Sequence, residues 1–394
     1  MKGPPHEKVL LSLEAALTKN RKDHRMRSFF FALTLLVVAA PIPVTAQEKP
    51  KPNTLTPKEI ADGWILLFDG ETTFGLNVKD AKPAKGELVF EAGKPGSITT
   101  TTEFRDFELR FEIAGVPEIG QKFFIKLNGT KYDWVKKAGK DWTEIGIKVE
   151  SGRNFIRTTS KIAGDTLVDK DSSDVGSRTT IEFITTGVDA RLRNIKLKPI
   201  NQSPIFNGKD LTGWKEIPGK KSKFTVTDKG ELNVKNGNGD LQTTGEWDDF
   251  VLQLDIISNG KHLNSGVFFR CLPGEFWSGY EAQIRNQWQG DDRTKPVDYG
   301  TGAIYNRQAA RKVVSNDSEW FTMTVIAHGS HLATWVNGYQ VTDFTDTRPA
   351  DKSARKGLKL DKGPISLQGH DPTTDLSFRN IRIEAMPRPV AAKP

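Results

Sequence analysis

The chain has 394 residues, 27% of them charged and 36% hydrophobic, with 35 Gly, 21 Pro, 22 Phe and 9 Trp. That length suits two domains better than one, and the polarity excludes a membrane-embedded chain. A single cysteine, Cys271, excludes a disulfide scaffold and a multi-cysteine zinc site.

The formal net charge of +8 is concentrated at the start of the chain. Met26-Arg27 opens a basic stub, Phe29 to Ala40 is an uncharged apolar run broken only by Thr34, and Val44-Thr45-Ala46 offers small residues before Gln47. This is the layout of a secretory signal peptide cleaved after Ala46, and the run is too short for a membrane span. The residues before Met26 read as an upstream extension. Residues 1–46 hold 7 Lys/Arg and 3 Asp/Glu, so the remainder carries +4. No Lys/Arg stripe suited to a phosphate backbone is visible, so nucleic acid is not an expected partner. A secreted or periplasmic location is expected, with no membrane span after cleavage and no disulfide partner.

Residues 47–57 form a Pro/Lys-rich linker. The chain then repeats itself. Leu67-Phe68-Asp69-Gly70 answers Ile205-Phe206-Asn207-Gly208, and Gly86-Glu87-Leu88 answers Gly230-Glu231-Leu232. Phe104-Arg105-Asp106-Phe107 answers Trp247-Asp248-Asp249-Phe250, and Leu192-Arg193-Asn194-Ile195 answers Phe378-Arg379-Asn380-Ile381. Four matches in one order predict two homologous domains, 58–199 and 204–387, joined at Pro199 to Pro204 and followed by a tail, 388–394.

Both copies read as β. Phe107, Leu109, Phe111 and Ile113 alternate with Glu108, Arg110 and Glu112. Phe250, Leu252, Leu254 and Ile256 alternate with Val251, Gln253 and Asp255. A period of two predicts strands with one face on a core and one towards water. Asn337-Gly338 between two apolar runs predicts a tight hairpin. The expected fold class is all-β, a sandwich or jelly roll in each copy.

Site chemistry is confined to the second copy. His262, His328, His331 and His370 all lie there, with six of nine Trp and four of five Tyr. Alternation puts Phe268 and Arg270 on one face of their strand, Glu281, Gln283 and Arg285 opposite Ala282 and Ile284, and Gln368 and His370 opposite Ile365 and Leu367. If these strands are neighbours, Arg270, Glu281, Gln283, Gln368 and His370 share one polar face, suited to a ligand with many hydroxyls. Trp277, Trp288, Tyr299 and Tyr305 offer stacking surfaces for a sugar ring. The alternative is an ordinary solvated face with cross-strand ion pairs. His328-Gly329-Ser330-His331 reads as a hairpin turn rather than a metal site, Asp291, Asp292 and Asp298 as a solvated loop, and Cys271 as a buried thiol.

The second copy resembles a known family in seven ordered stretches. They are Phe206-Asn207-Gly208-Lys209-Asp210-Leu211-Thr212-Gly213-Trp214, Asn264 to Arg270, Gly279-Tyr280-Glu281-Ala282-Gln283-Ile284, Thr301-Gly302-Ala303-Ile304-Tyr305, Trp335-Val336-Asn337-Gly338 with Leu367-Gln368-Gly369-His370, and Phe378 to Ile383. The resemblance is to the 3-keto-disaccharide hydrolase domain family, with a concanavalin A-like lectin/glucanase fold. The first copy is similar only in its framing motifs. The family often has an Asp after the Tyr-Glu-x-Gln strand and a Gly after the His, where this chain has Arg285-Asn286 and Asp371.

The resemblance implies two tandem jelly-roll sandwiches and cleavage of glycosides bearing a ketone at carbon 3. The ketone acidifies the hydrogen on carbon 2, so the aglycone can leave by elimination, with water added later. That route needs one base, a group to hold the enolate oxygen and an acid for the leaving group. The expected catalytic residues are Glu281 or His370 as base and Arg270 at the keto oxygen. Gln283, Gln368, Tyr305, Trp277 and Arg285 are the expected substrate-binding residues. A divalent cation held by Glu281 and His370 is the alternative electrophile. A non-catalytic carbohydrate-binding sandwich is the competing reading.

Overall fold

The computed structural model describes residues 51–386 apart from 117–122, 128–129, 133–140, 152–155, 163–164 and 168–177, with backbone elements alone across 151–177. The leader reading of residues 1–46 and the tail 388–394 lie outside the described residues. The described chain is all-β, two jelly-roll sandwiches in tandem, with one short helix, Pro57–Ala61, capped by Thr56 and Glu59.

Each sandwich pairs a large antiparallel sheet with a five-stranded one, and the strand order is the same in both. In the second, the large sheet runs Lys223–Val226, Leu232–Lys235, Asp375–Ala385, Phe250–Ser258, Phe321–His328, His331–Val336, Tyr339–Thr345. Its small sheet runs Trp214–Glu216, Gly239–Thr243, Ser366–Gly369, Ser265–Phe269, Tyr280–Ile284. The small sheet of the first runs Leu76–Lys79, Pro95–Thr100, Ile181–Thr186, Phe123–Leu127, Thr130–Tyr132. Aromatic edges tie the layers together: Phe111 meets Phe183 at 5.1 Å in the first sandwich, and Phe250 meets Phe269 at 5.6 Å in the second.

The repeated Arg-Asn-Ile motif has a structural cause. Asn194 and Asn380 both adopt φ 52°, where the register shifts by a bulge between the last strand and its neighbour. Asn tolerates the left-handed region better than most residues, and the bulge re-aims the strand. Asn337 and Gly338, with φ of 49° and 74°, form the tight hairpin expected from their sequence.

One expectation is corrected. The strand Phe250–Ser258 turns no face to water over its first half, although Asp255 and Ile257 further on stay part-exposed. Val251 and Gln253 are as buried as Leu252, because the first sandwich covers the outer face of the large sheet. Val251, Ile326, Ala333 and Trp335 join the core of the first sandwich. Trp335 and Gln253, caught there, are satisfied: Trp335 Nε1 donates to Leu66 O at 3.0 Å and Gln253 Nε2 to Gly63 O at 2.9 Å. His328 and His331 flank a hairpin, as expected, and both reach the first sandwich, at Glu103 N and Thr102 Oγ1. Burial and the neighbouring His331 push His328 down to about 3, so it sits in this contact as a neutral ring.

Candidate active site

The site is built on the outward face of the second small sheet. Directly opposed residues share a face in an antiparallel pair. Asp240 opposes Gln368, Gln242 opposes Ser366, Phe268 opposes Ser366 and Glu281, and Gly266 opposes Gln283. Glu281, Gln283 and Gln368 therefore meet, as alternation predicted. A cavity of about 300 Å³ opens above them, lined by Asn238, Asn264, Phe276, Trp277, Glu281, Gln283, Tyr305, Gln368 and His370.

Gly266 is the floor. A Cβ there would lie 2.7 Å from Glu281 Oε1 and 2.8 Å from its Cγ, so only glycine lets that carboxyl lie across the sheet. Tyr305 enters from the edge. Its N–H donates to Glu281 O at 2.9 Å and the adjacent Ile304 bridges Ala282, so Ala303 to Tyr305 extends the sheet beside the glutamate.

Arg270 is not part of the face. Its strand ends at Phe269, and Arg270 turns under the sheet with φ 50°, wholly buried. Its guanidinium pairs with Asp249 at 2.8 Å and donates to the carbonyls of Asp248, Gly329 and Lys359. Strand alternation fails there because the strand has stopped. Arg285 also misses the cavity: it lies one residue beyond Ile284 and donates to His262 O. Tyr299 packs on Tyr305 at 5.1 Å, while Trp288 lies under Arg293. Asp292 bonds within its own turn, and Cys271 is buried, with its thiol pushed well up by desolvation.

The cation of the site is Arg355, which sequence reading did not find. Its Nη2 donates to Glu281 Oε2 at 2.8 Å and its Nε to Trp277 O at 3.3 Å. Its guanidinium lies 4.0 Å from the Trp277 ring centre and 5.1 Å from that of Phe268. The segment carrying it has no regular structure, but it is tied down. Arg348 Nη2 donates to Ala354 O and Gly357 O, Arg270 Nη1 donates to Lys359 O, and Lys359 N donates to the hydroxyl of Tyr280, next to Glu281. The buried Arg270 thus serves the site indirectly, by holding this segment. Asp240, also missed, was within reach of the alternation argument, since Leu241 points inward between Asp240 and Gln242. Arg355 gave no such signal. It stands in a Lys/Arg-rich irregular stretch that reads as a solvated loop.

The electrostatics favour proton transfer. Glu281 is 3% exposed, and desolvation pushes its carboxyl up to about 7 against the opposing pull of Arg355 and His370. Desolvation likewise raises Asp240 to about 6, although Trp277 N donates to it at 2.9 Å. His370 Nδ1 meets Asp371 Oδ2 at 2.9 Å, leaving Nε2 for a ligand. Burial works to raise the Asp371 carboxyl, but bonds from Thr373 and His370 outweigh it and hold the group below the usual range. Asp371 therefore orients the histidine.

The amides are aimed as acceptors. Asp298 takes the amide N–H groups of both Gln283 and Asn264, leaving Gln283 Oε1 and Asn264 Oδ1 without a protein partner. Gln368 Oε1 is also buried and unpartnered on this face, while the Ser366 hydroxyl bonds the Asp240 carboxyl beside it. Such a cluster suits a ligand rich in hydroxyl donors. Among the described residues no three His, Cys, Asp or Glu side chains converge to hold a metal ion, and Glu281 is already engaged by Arg355. The donor set does not fit a bound cation.

Residues 201–384 match the family model described as a 3-keto-alpha-glucoside-1,2-lyase-like domain. The second sandwich carries that domain. No curated protein matches the chain. Among solved structures, two proteins of Parabacteroides distasonis provisionally assigned as glycosyl hydrolases are similar over 47% of the chain. One is 22% identical over 94% of its own length and the other 26% over 100%, each with a TM-score of 0.39. The carbohydrate-binding module CBM66 of Bacillus subtilis is 15% identical over 99% of its length and 46% of this chain, with a TM-score of 0.34. No helix among the described residues is long and apolar enough to cross a membrane.

Proposed function

We propose that the lyase-like domain cleaves glycosides whose sugar carries a ketone at carbon 3, by elimination followed by hydration. The observation that carries this reading is Glu281: a buried carboxyl poised near neutrality, hydrogen-bonded to one guanidinium, over a floor only glycine permits. Glu281 takes the proton from carbon 2. The electron pair passes into the carbon 2–carbon 3 bond, and the ketone oxygen becomes an enolate facing Arg355. The enolate then reforms the ketone, the carbon 1–carbon 2 double bond forms and the bond from carbon 1 to the aglycone oxygen breaks. That oxygen takes a proton from the His370 imidazolium, which Asp371 orients. Water subsequently adds across the double bond. Gln283, Gln368 and Asn264 accept from the remaining hydroxyls. One base, one acid and one cation suffice, without the spaced carboxylate pair of ordinary glycosidases.

Export to the periplasm or cell exterior is part of the same proposal and rests on residues 26–46. The test is turnover of 3-keto-trehalose and 3-keto-sucrose beside their parent disaccharides, each with and without chelator. Sugar release from the keto forms alone, unaffected by chelator, is expected. Cleavage of the parents would overturn the ketone-dependent route. Binding without turnover would favour a carbohydrate-binding role, and loss with chelator would replace Arg355 by a metal as electrophile.

A further inference from the structure

The cavity is small for the substrate just proposed. At about 300 Å³ it lies at the lower end of ligand sites and takes one sugar ring. The second ring of a disaccharide must lie at its mouth. Trp277 stands there, and at 45% exposure it is the one exposed large hydrophobic side chain among the described residues. It holds a backbone conformation unfavourable for a bulky residue, φ 59°. Two site residues fix it: Asp240 accepts its N–H at 2.9 Å, and Arg355 donates to its carbonyl at 3.3 Å. The Arg355 guanidinium also stacks at 4.0 Å from the ring centre and reaches Glu281 with its other end. The ring is therefore held one guanidinium away from the base.

We infer that Trp277 is the platform for the leaving group, and that the leaving group is a pyranose ring laid flat on the indole. This rests on the proposed glycoside cleavage. A pyranose has an apolar face of axial C–H bonds that matches an aromatic ring, while its hydroxyls stay in water. Asp240 is then a positioning residue: its carboxylate fixes the Trp277 N–H and so the tilt of the platform. The site selects disaccharides over glycosides with a small alkyl aglycone.

The experiment compares 3-keto-trehalose with methyl 3-keto-α-glucopyranoside. In the wild-type protein kcat/KM is expected to favour the disaccharide by about tenfold, the upper range of one aromatic contact. Trp277→Ala should lower that ratio about fivefold, chiefly through KM, and Trp277→Phe should restore part of it. A ratio unchanged in Trp277→Ala overturns the platform, because loss of Arg355 packing alone lowers both substrates together. A binding arm uses Glu281→Gln with the same two ligands, with and without Trp277→Ala, read by calorimetry. If the wild type turns over neither sugar but Glu281→Gln binds the disaccharide more tightly in a Trp277-dependent way, the cleavage reading falls, and Trp277 stands as the platform for the second ring of a bound disaccharide rather than for a leaving group. Equal or absent binding of both ligands overturns the platform whatever the turnover.

Discussion

The two small sheets have one topology and opposite fates. In the first sandwich, the strands Pro95–Thr100, Phe123–Leu127 and Ile181–Thr186 alternate between buried and part-exposed residues. Their outward face carries a Lys126–Glu182 ion pair at 3.1 Å, open to solvent on both sides. In the second, the strands Gly239–Thr243, Ser265–Phe269, Tyr280–Ile284 and Ser366–Gly369 are buried on both faces. Their outward positions hold Asp240, Gln242, Gly266, Phe268, Glu281, Gln283, Ser366 and Gln368. The difference lies less in the strands than in what lies over them. Segments around Trp277, Tyr305 and Arg355 roof the second sheet. Desolvation under that roof converts an ordinary carboxylate into one poised near pH 7. A frame can be duplicated without its chemistry, because the chemistry depends on the loops.

The contrast between the two sheets rests most heavily on Glu281. Glu281→Gln should lower kcat on a 3-keto-disaccharide by at least about 100-fold with KM little changed, the range for loss of a general base. Unchanged turnover would leave the second sheet as inert as the first. Next comes the contact between the sandwiches. Trp335→Ala empties a fully buried position through which the second sandwich enters the core of the first, and should cost about 3–5 kcal/mol in urea or thermal unfolding. A cost below about 1 kcal/mol, the ordinary size of a surface change, would show that the contact adds little.

The two sheets differ next in their response to pH. The acidic limb of kcat/KM should rise through about pH 7 as Glu281 ionises. Arg355 pulls that carboxyl down, so Arg355→Ala should move the limb to higher pH as well as lowering the plateau. The stability sign follows from the same shift. A carboxyl raised from 4.5 to about 7 binds its proton more tightly in the folded state. Its contribution is therefore present below pH 4.5 and is lost as pH rises to about 7. Glu281→Gln should remove that slope from the unfolding free energy; a wild-type slope retained in the variant would assign it elsewhere. The smallest effect belongs to the first sheet. Lys126→Ala should change stability by less than about 1 kcal/mol and leave turnover alone, as for other exposed pairs. A large loss of activity would place a functional contact on the first sandwich.

Much of this protein was legible before any coordinates. Period-two alternation marked the strands, four paired motifs marked the duplicated frame, and the left-handed Asn of Arg-Asn-Ile explains why that motif recurs. Alternation also brought Glu281, Gln283 and Gln368 together, because side-chain direction in a strand is a local property. Local rules failed where local structure ended. Arg270 left the face one residue past its strand, and Val251 and Gln253 lost their water to a second sandwich. Arg355 reached Glu281 across 74 positions from an irregular segment. The sequence by itself determined the pleat, the repeat and which strand residues share a face. Only the tertiary structure decided which cation meets the glutamate, how far that glutamate is desolvated, and that Trp277 stands open at the mouth. Those properties arise from segments far apart in the chain closing over one sheet.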